Sequence, residues 1–234
     1  MCKPLAFFAA ILLSTSLLAI KNHSIATEVV IDPESVHVPE GFDANDTVEV
    51  IITGDLPDTC HKRPTGEAKV IDSKVVIDMT ATKITGRDVL CIKALVPYVV
   101  SVPLGRLNVG DYSVAINTGK VSEKTSSFTV GIAGSDSIDN FTYANVTNVT
   151  KSDNTSLVLE GAHPSSCMAI EKVELVANAA GDTVAVLPIV KQTAEECDRM
   201  MTPFSVVVPV PHPEKSGIVY HVRRIDGRAI NFKW

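Results

Sequence analysis

Positive charge is in short supply in this chain of 234 residues: 21 Lys+Arg stand against 27 Asp+Glu, a formal net charge of −6. The first 26 residues hold Lys3 and Lys21 and no acid, so the remainder is more acidic still. A chain of this balance lacks the electrostatic footprint that holds a phosphate backbone, and nucleic acid is not an expected partner. Long apolar runs are missing after the N-terminus, so no later segment is expected to span a membrane. Aromatic residues make up only 5%, with a single Trp. At 45% hydrophobic and 21% charged, the composition still excludes disordered, collagen-like and multi-span membrane classes.

Signatures of chemistry are missing as well. There is no Gly-x-Ser-x-Gly elbow, no phosphate-cradling Gly loop and no His-Glu-x-x-His zinc helix. The six histidines (His23, His37, His61, His163, His212, His221) are scattered. His212 and His221 facing each other across a hairpin would still be only two imidazoles, not a closed zinc site. Asp136 and Asp139 lack the dense oxygen-ligand spacing of a calcium loop. No catalytic residue, metal or cofactor is therefore expected.

The N-terminus reads as an export signal. Lys3 supplies a short positive region, Leu5 to Ile20 an apolar stretch, and Ser24-Ile25-Ala26 places small residues at −3 and −1 of a cleavage site after Ala26. The stretch is short for the ~20 residues of a membrane-crossing helix. Cys2 precedes it, so it is not positioned as a lipid-modified cysteine. The expected product is soluble, secreted or periplasmic, with no membrane span once the signal is removed.

Without Cys2, four cysteines remain: Cys60, Cys91, Cys167 and Cys197. An even number in an exported chain points to disulfides. Cys60 beside His61 would suggest a nucleophile pair in a cytosolic enzyme, but the later cysteine in the same half favours a bridge. Three pairings are open, and internal repetition favours one.

Gly54-Asp55-Leu56-Pro57-Asp58-Thr59-Cys60 recurs as Gly161-Ala162-His163-Pro164-Ser165-Ser166-Cys167. Pro97-Tyr98 recurs as Pro203-Phe204, Pro103 as Pro209, Tyr112-Ser113-Val114 as Tyr220-His221-Val222, and Gly119 as Gly227. Two copies that fold alone would each close their own bridge, Cys60–Cys91 and Cys167–Cys197. Loops of about thirty residues stabilise a small unit by roughly 3–4 kcal/mol on a chain-entropy argument. Cross-pairing would make the halves interdependent.

The periodicity is that of strands. Thr47–Thr53, Lys74–Thr80, Tyr98–Val102, Asp111–Ile116 and Thr125–Val130 are β-branched and partly alternating, with turn formers between them. Thr183–Leu187, Ser205–Val208 and Ile218–Val222 do the same in the second copy, and Asp226-Gly227 signals a hairpin into Ala229–Phe232. Gly54 and Gly161 are expected to let the chain reverse before each Pro-x-x-Cys turn. Pro103 and Pro209 should end their strands or lie on edges. Only Met168–Leu175 and Ala194–Met201 show helical spacing.

The expected fold is all-β: two tandem immunoglobulin-like β-sandwich domains, each with one internal disulfide. The expected boundaries are a signal peptide over 1–26 and a first sandwich over 27–133. A polar linker or first strand of the second domain follows over 134–154, and the second sandwich over 155–234. Phe141, Tyr143 and Val146 are candidates to start that strand.

On the Leu-Pro-Asp-x-Cys turn, the Pro-aromatic run ending in Val-Pro-Leu and the Gly-x-Tyr-x-Val strand, Val48 to about Val130 resembles a group of exported bacterial β-rich modules. The second copy departs where His163 replaces the leucine and Ser165 the aspartate. The resemblance implies fold and export, and no activity.

Two surface features suggest recognition. The Pro57–Gly66 turn, with His61, Lys62 and Arg63, reads as a charged exposed loop held by a disulfide; Lys62-Arg63 suits a trypsin-like pocket and Pro64 would resist cleavage there. Asn45, Asn140, Asn145, Asn148 and Asn154 each open an Asn-x-Ser/Thr triplet. They would carry sugars in a eukaryotic secretory path and would reflect an Asn/Thr-rich linker in a bacterium. The leading expectation is a non-catalytic binding or structural module whose partner is an extracellular or envelope protein or glycan. A secreted protease inhibitor using the Cys60–Gly66 loop is the first alternative, and an enzyme with an unrecognised inter-domain site the second.

Overall fold

The computed structural model describes residues 24–134, 136 and 142–234. The signal peptide, Asn140 and Phe141 fall wholly or mostly outside them. Every regular element among the described residues is a strand. In chain order these are β1 (Ile25–Val30), β2 (Ser35–His37), β3 (Val48–Leu56), β4 (His61–Ile71), β5 (Lys74–Thr85), β6 (Val96–Gly105), β7 (Gly110–Ile116) and β8 (Lys124–Val130). Then follow β9 (Val146–Lys151), β10 (Ser156–His163), β11 (Met168–Ala177), β12 (Thr183–Gln192), β13 (Thr202–Pro209), β14 (Val219–Arg223) and β15 (Ala229–Lys233).

The two halves of the chain have similar strand orders. In the first half β2-β3-β6 form one sheet, and β1, β4, β5, β7 and β8 the other. In the second half β9-β10-β13 and β11-β12-β14-β15 follow the same order, without a named strand in the place of β1. Even the unusual step is repeated: β5 runs parallel to β7, and β12 parallel to β14, each joined through a strand in the opposite sheet. The chain is thus two tandem immunoglobulin-like sandwiches, each with its own core. Val50, Ile52, Val75, Ile77, Val114 and Phe128 lie in one core, Val146, Leu157, Leu159, Val186, Tyr220 and Val222 in the other. Alternation explains the membership: Val75, Ile77, Met79 and Ala81 point inward from β5, two residues apart.

β5 is long enough to serve two partners along one edge. Its first part pairs with β7 and its last with β1, with Ile25 opposite Thr85. Cleavage after Ala26 would leave Thr27–Val30 on this edge. In the second sandwich residues 142–144 occupy the corresponding place, with Tyr143 bridging Ile189 and Ala144 N–H bonding the Pro188 carbonyl.

The repeated glycines and aromatics explain each other. Gly54 lies inside β3 opposite Tyr98, and Gly161 inside β10 opposite Phe204. Neither is at a chain reversal, which corrects the expectation. A side chain at Gly54 would meet the Tyr98 hydroxyl at 2.7 Å and its ring at 2.9 Å; one at Gly161 would meet Phe204 Cζ at 2.8 Å and the Asn145 carbonyl. The aromatic covers the bare backbone across the ladder. Pro103 and Pro209 lie on β6 and β13, which edge their sheets, where a missing donor costs least.

Neither helical candidate is helical. Met168–Leu175 lies in β11, where a bulge between Ile170 and Lys172 interrupts the alternation. The extra residue spaces Ile170 and Val173 three apart, which mimics one helical turn. Ala194–Met201 is irregular, held at Cys197 by its disulfide.

Candidate recognition loops and the interdomain seam

Each sandwich ends in a loop pinned by a disulfide. Cys60 and Cys91 are joined with Cα atoms 5.2 Å apart, and Cys167 and Cys197 with Cα atoms 5.4 Å apart, at sequence separations of 31 and 30. Each bridge closes within one sandwich, and closed disulfides fit an oxidising compartment. The surroundings are duplicated atom by atom. Thr59 N–H donates to the Ile92 carbonyl (3.1 Å) and Ile92 N–H to Thr59 Oγ1 (2.9 Å). Ser166 N–H donates to the Asp198 carbonyl (3.1 Å) and Asp198 N–H to Ser166 Oγ (3.2 Å).

The turn before each bridge uses a short polar side chain as a local acceptor. Asp58 Oδ1 accepts from Cys60 N–H at 2.8 Å, and Ser165 Oγ from Cys167 N–H at 3.2 Å. Serine in the second copy therefore keeps the turn while dropping the charge. Asp58 also takes the His61 ring Nδ1 at 2.7 Å, and that hydrogen bond holds its carboxyl below the ordinary value. Asp58 lies close to both Cys60 and Cys91 sulfurs, but their bond leaves no thiolate for a metal.

The charged turn differs from its expected form. His61 is buried and already belongs to β4, opposite Lys83. Lys62 is exposed, yet paired with Thr82 in the ladder. Arg63 follows at φ 51°, and Pro64 falls inside a bulge before pairing resumes at Thr65. A proline is tolerated there because the bulge removes it from the ladder. Lys62-Arg63 is thus a basic pair on a strand bulge, not a free extended segment.

What the tethers display is apolar. Leu90, Ile92 and Leu95 are 84%, 59% and 70% exposed, and Met200 and Met201 are 59% and 57% exposed. They occupy the same place in the fold, the segment between β5 and β6 and that between β12 and β13. Of the glycosylation triplets, Asn148 and Asn154 are exposed and Asn45 and Asn145 half-buried.

A second constellation lies where the sandwiches meet. The outward face of β3 carries Glu49, Ile51 and Thr53, and that of β14 carries Val219, His221 and Arg223. Ile51 and Val219 are fully buried although neither belongs to a core. Arg223 reaches Asp46 at 2.7 Å, both side chains buried, and its guanidinium lies over the Phe42 and Tyr143 rings. His221 Nδ1 meets Glu49 Oε1 at 3.1 Å and Asn231 Oδ1 at 2.9 Å. His37 accepts or donates at Thr53 Oγ1 through Nε2 and faces Asp182 at 3.7 Å, while Asn178 donates to the Val38 carbonyl.

These contacts set the carboxylates. Burial alone would raise Glu49, but hydrogen bonds from His221, Ser101 and Asn231 outweigh it and hold the group low. His37 beside Asp182, opposed by partial burial and helped by Asn178 and Thr183, brings that carboxyl down to about 2. A cleft of about 410 Å³ opens along the seam between Glu49 and Ser101 on one side and Gly227 to Ala229 on the other. A carboxylate held low is a weak base for the Ser101 hydroxyl that donates to it.

Sequence reasoning missed the seam for a physical reason. His221 and Arg223 alternate with the core residues Tyr220 and Val222, and polar-out alternation looks the same whether the outer face meets water or a second sandwich.

Residues 50–130, from β3 to the last residue of β8, match the family described as the ORF11 beta-sandwich domain. No curated protein and no solved structure matches the chain.

Proposed function

We propose that this chain is an exported, non-catalytic binding module, secreted or periplasmic, that meets an extracellular or envelope protein or glycan through its two disulfide-tethered loops. The observation that carries this reading is the exposure of Leu90, Ile92 and Leu95, matched by Met200 and Met201, on segments that a covalent bond holds in place. Exposed apolar side chains grouped on one feature mark contact sites. A loop already fixed loses little conformational freedom when it binds.

The test immobilises Thr27–Trp234 beside two loop variants, Leu90→Ser/Ile92→Ser/Leu95→Ser and Met200→Ser/Met201→Ser. Each is exposed to extracellular and envelope fractions, and bound species are read by mass spectrometry. The expected result is a species retained by the parent chain and lost from at least one variant. Identical retention by all three proteins would exclude the loops as the contact surface.

A further inference from the structure

The two loop ends share a design and differ in sign of charge. Around Cys60–Cys91 stand Lys62, Arg63, Lys83, Arg87 and Lys93, and among the described residues none of them makes an ion pair. The acids nearby include Asp88, Glu28 across Thr82 from Lys62, and Asp58, which is already taken by His61, so the cations still prevail. Around Cys167–Cys197 the cations are spent locally: Lys191 meets Glu171 at 3.6 Å and Lys172 meets Glu174 at 2.5 Å. Glu195, Glu196 and Asp198 remain exposed with only Arg199 among them.

Resting on the loops being the contact surface, we propose that their occupant is a second copy of this chain: the basic end of one first sandwich docks on the acidic end of another copy's second sandwich. Each end supplies a small apolar centre, Leu90, Ile92 and Leu95 on one side and Met200 and Met201 on the other. Each centre has a rim in which the opposite sign of charge predominates. Complementary rims set register and speed encounter, and like ends repel. Like-with-like docking is thereby disfavoured, and the contact joins unlike ends. Both loops are exposed within one chain, so the ends do not satisfy each other intramolecularly. Unlike patches on one molecule either close reciprocally into a pair or continue head to tail.

Sedimentation velocity of the purified chain tests this with two charge-reversed variants. One carries Lys62→Glu/Arg63→Glu/Lys93→Glu, the other Glu195→Lys/Glu196→Lys; thermal melts confirm that both fold. The chain should associate with rising concentration and dissociate at about 0.5 M salt, where the Debye length falls to roughly 4 Å. Each variant alone should need at least tenfold higher concentration to associate, and an equimolar mixture of the two should associate again. A chain that stays monomeric throughout, variants that associate like the parent, or a mixture that stays monomeric would each overturn the proposal. A monomeric chain that still retains a loop-dependent species would overturn self-docking and leave the binding-module reading standing.

Discussion

Asn117 completes a ladder that no strand could. It sits fully buried at φ 52° just past β7, where β5 changes partner from β7 to β1. Its side chain accepts from Met79 N–H at 3.0 Å and donates to the Ile31 carbonyl at 2.8 Å, serving one buried group on each side of the gap. Asn117→Ala leaves both without a partner and should cost about 2–3 kcal/mol in a urea unfolding curve. The repeated glycines make a contrasting pair. Ala at position 161 must push against the Asn145 backbone, whereas at position 54 it meets the Tyr98 ring, which can tilt. Gly161→Ala should therefore lower stability by about 2–3 kcal/mol, and Gly54→Ala by about 1 kcal/mol or less. Equal midpoint shifts would contradict this account of the aromatic cover.

Among the elements, the strands legible in the sequence were dense β-branched runs and runs of clear alternation. β5 and β7 show inward residues two apart along their length. β4 and β11 were hidden for one shared reason: each carries a bulge, at Lys62–Thr65 and at Ile170–Lys172, that shifts the hydrophobic period by one residue. The bridges were legible because duplication singled out one pairing, while the apolar display on their loops has no period to read. Removing the bridge as Cys167→Ala/Cys197→Ala should destabilise the second sandwich by about 3–4 kcal/mol. The first sandwich keeps its own closure, so in denaturant the loss should appear as an early partial transition. A uniform shift of one transition would mean that the sandwiches unfold only together.

For the whole molecule, the seam decides whether two sandwiches behave as one body. Asp46→Ala removes the buried carboxylate that the Arg223 guanidinium meets across the seam and should cost about 3–5 kcal/mol of inter-domain stability. The expected readout is a larger radius of gyration in solution scattering, with both cores intact by near-ultraviolet dichroism. The seam is also sensitive to acid. Asp182 has a folded value of about 2 against 3.8 for the free side chain. A depressed carboxyl lends stability that is present above the unfolded value and lost as pH falls from about 4 toward 2. The full shift would correspond to about 2.5 kcal/mol; with Asp182 more than one-third exposed, screening reduces this to about 1 kcal/mol. Asp182→Asn should flatten the pH dependence of unfolding in that window, measured against the parent chain from pH 5 to 2.

Asp46 and Arg223 are separated by 177 positions along the chain. In a chain that emerges N-terminus first the first sandwich can close before β14 is present, so assembly has an order imposed by connectivity. Until the second sandwich forms, Ile51 and the Asp46 carboxylate stand on a wet, unclosed sheet face. Docking is then a late kinetic event, separable from core formation as a slower refolding phase. The interval before it is when this protein most needs a chaperone's cover.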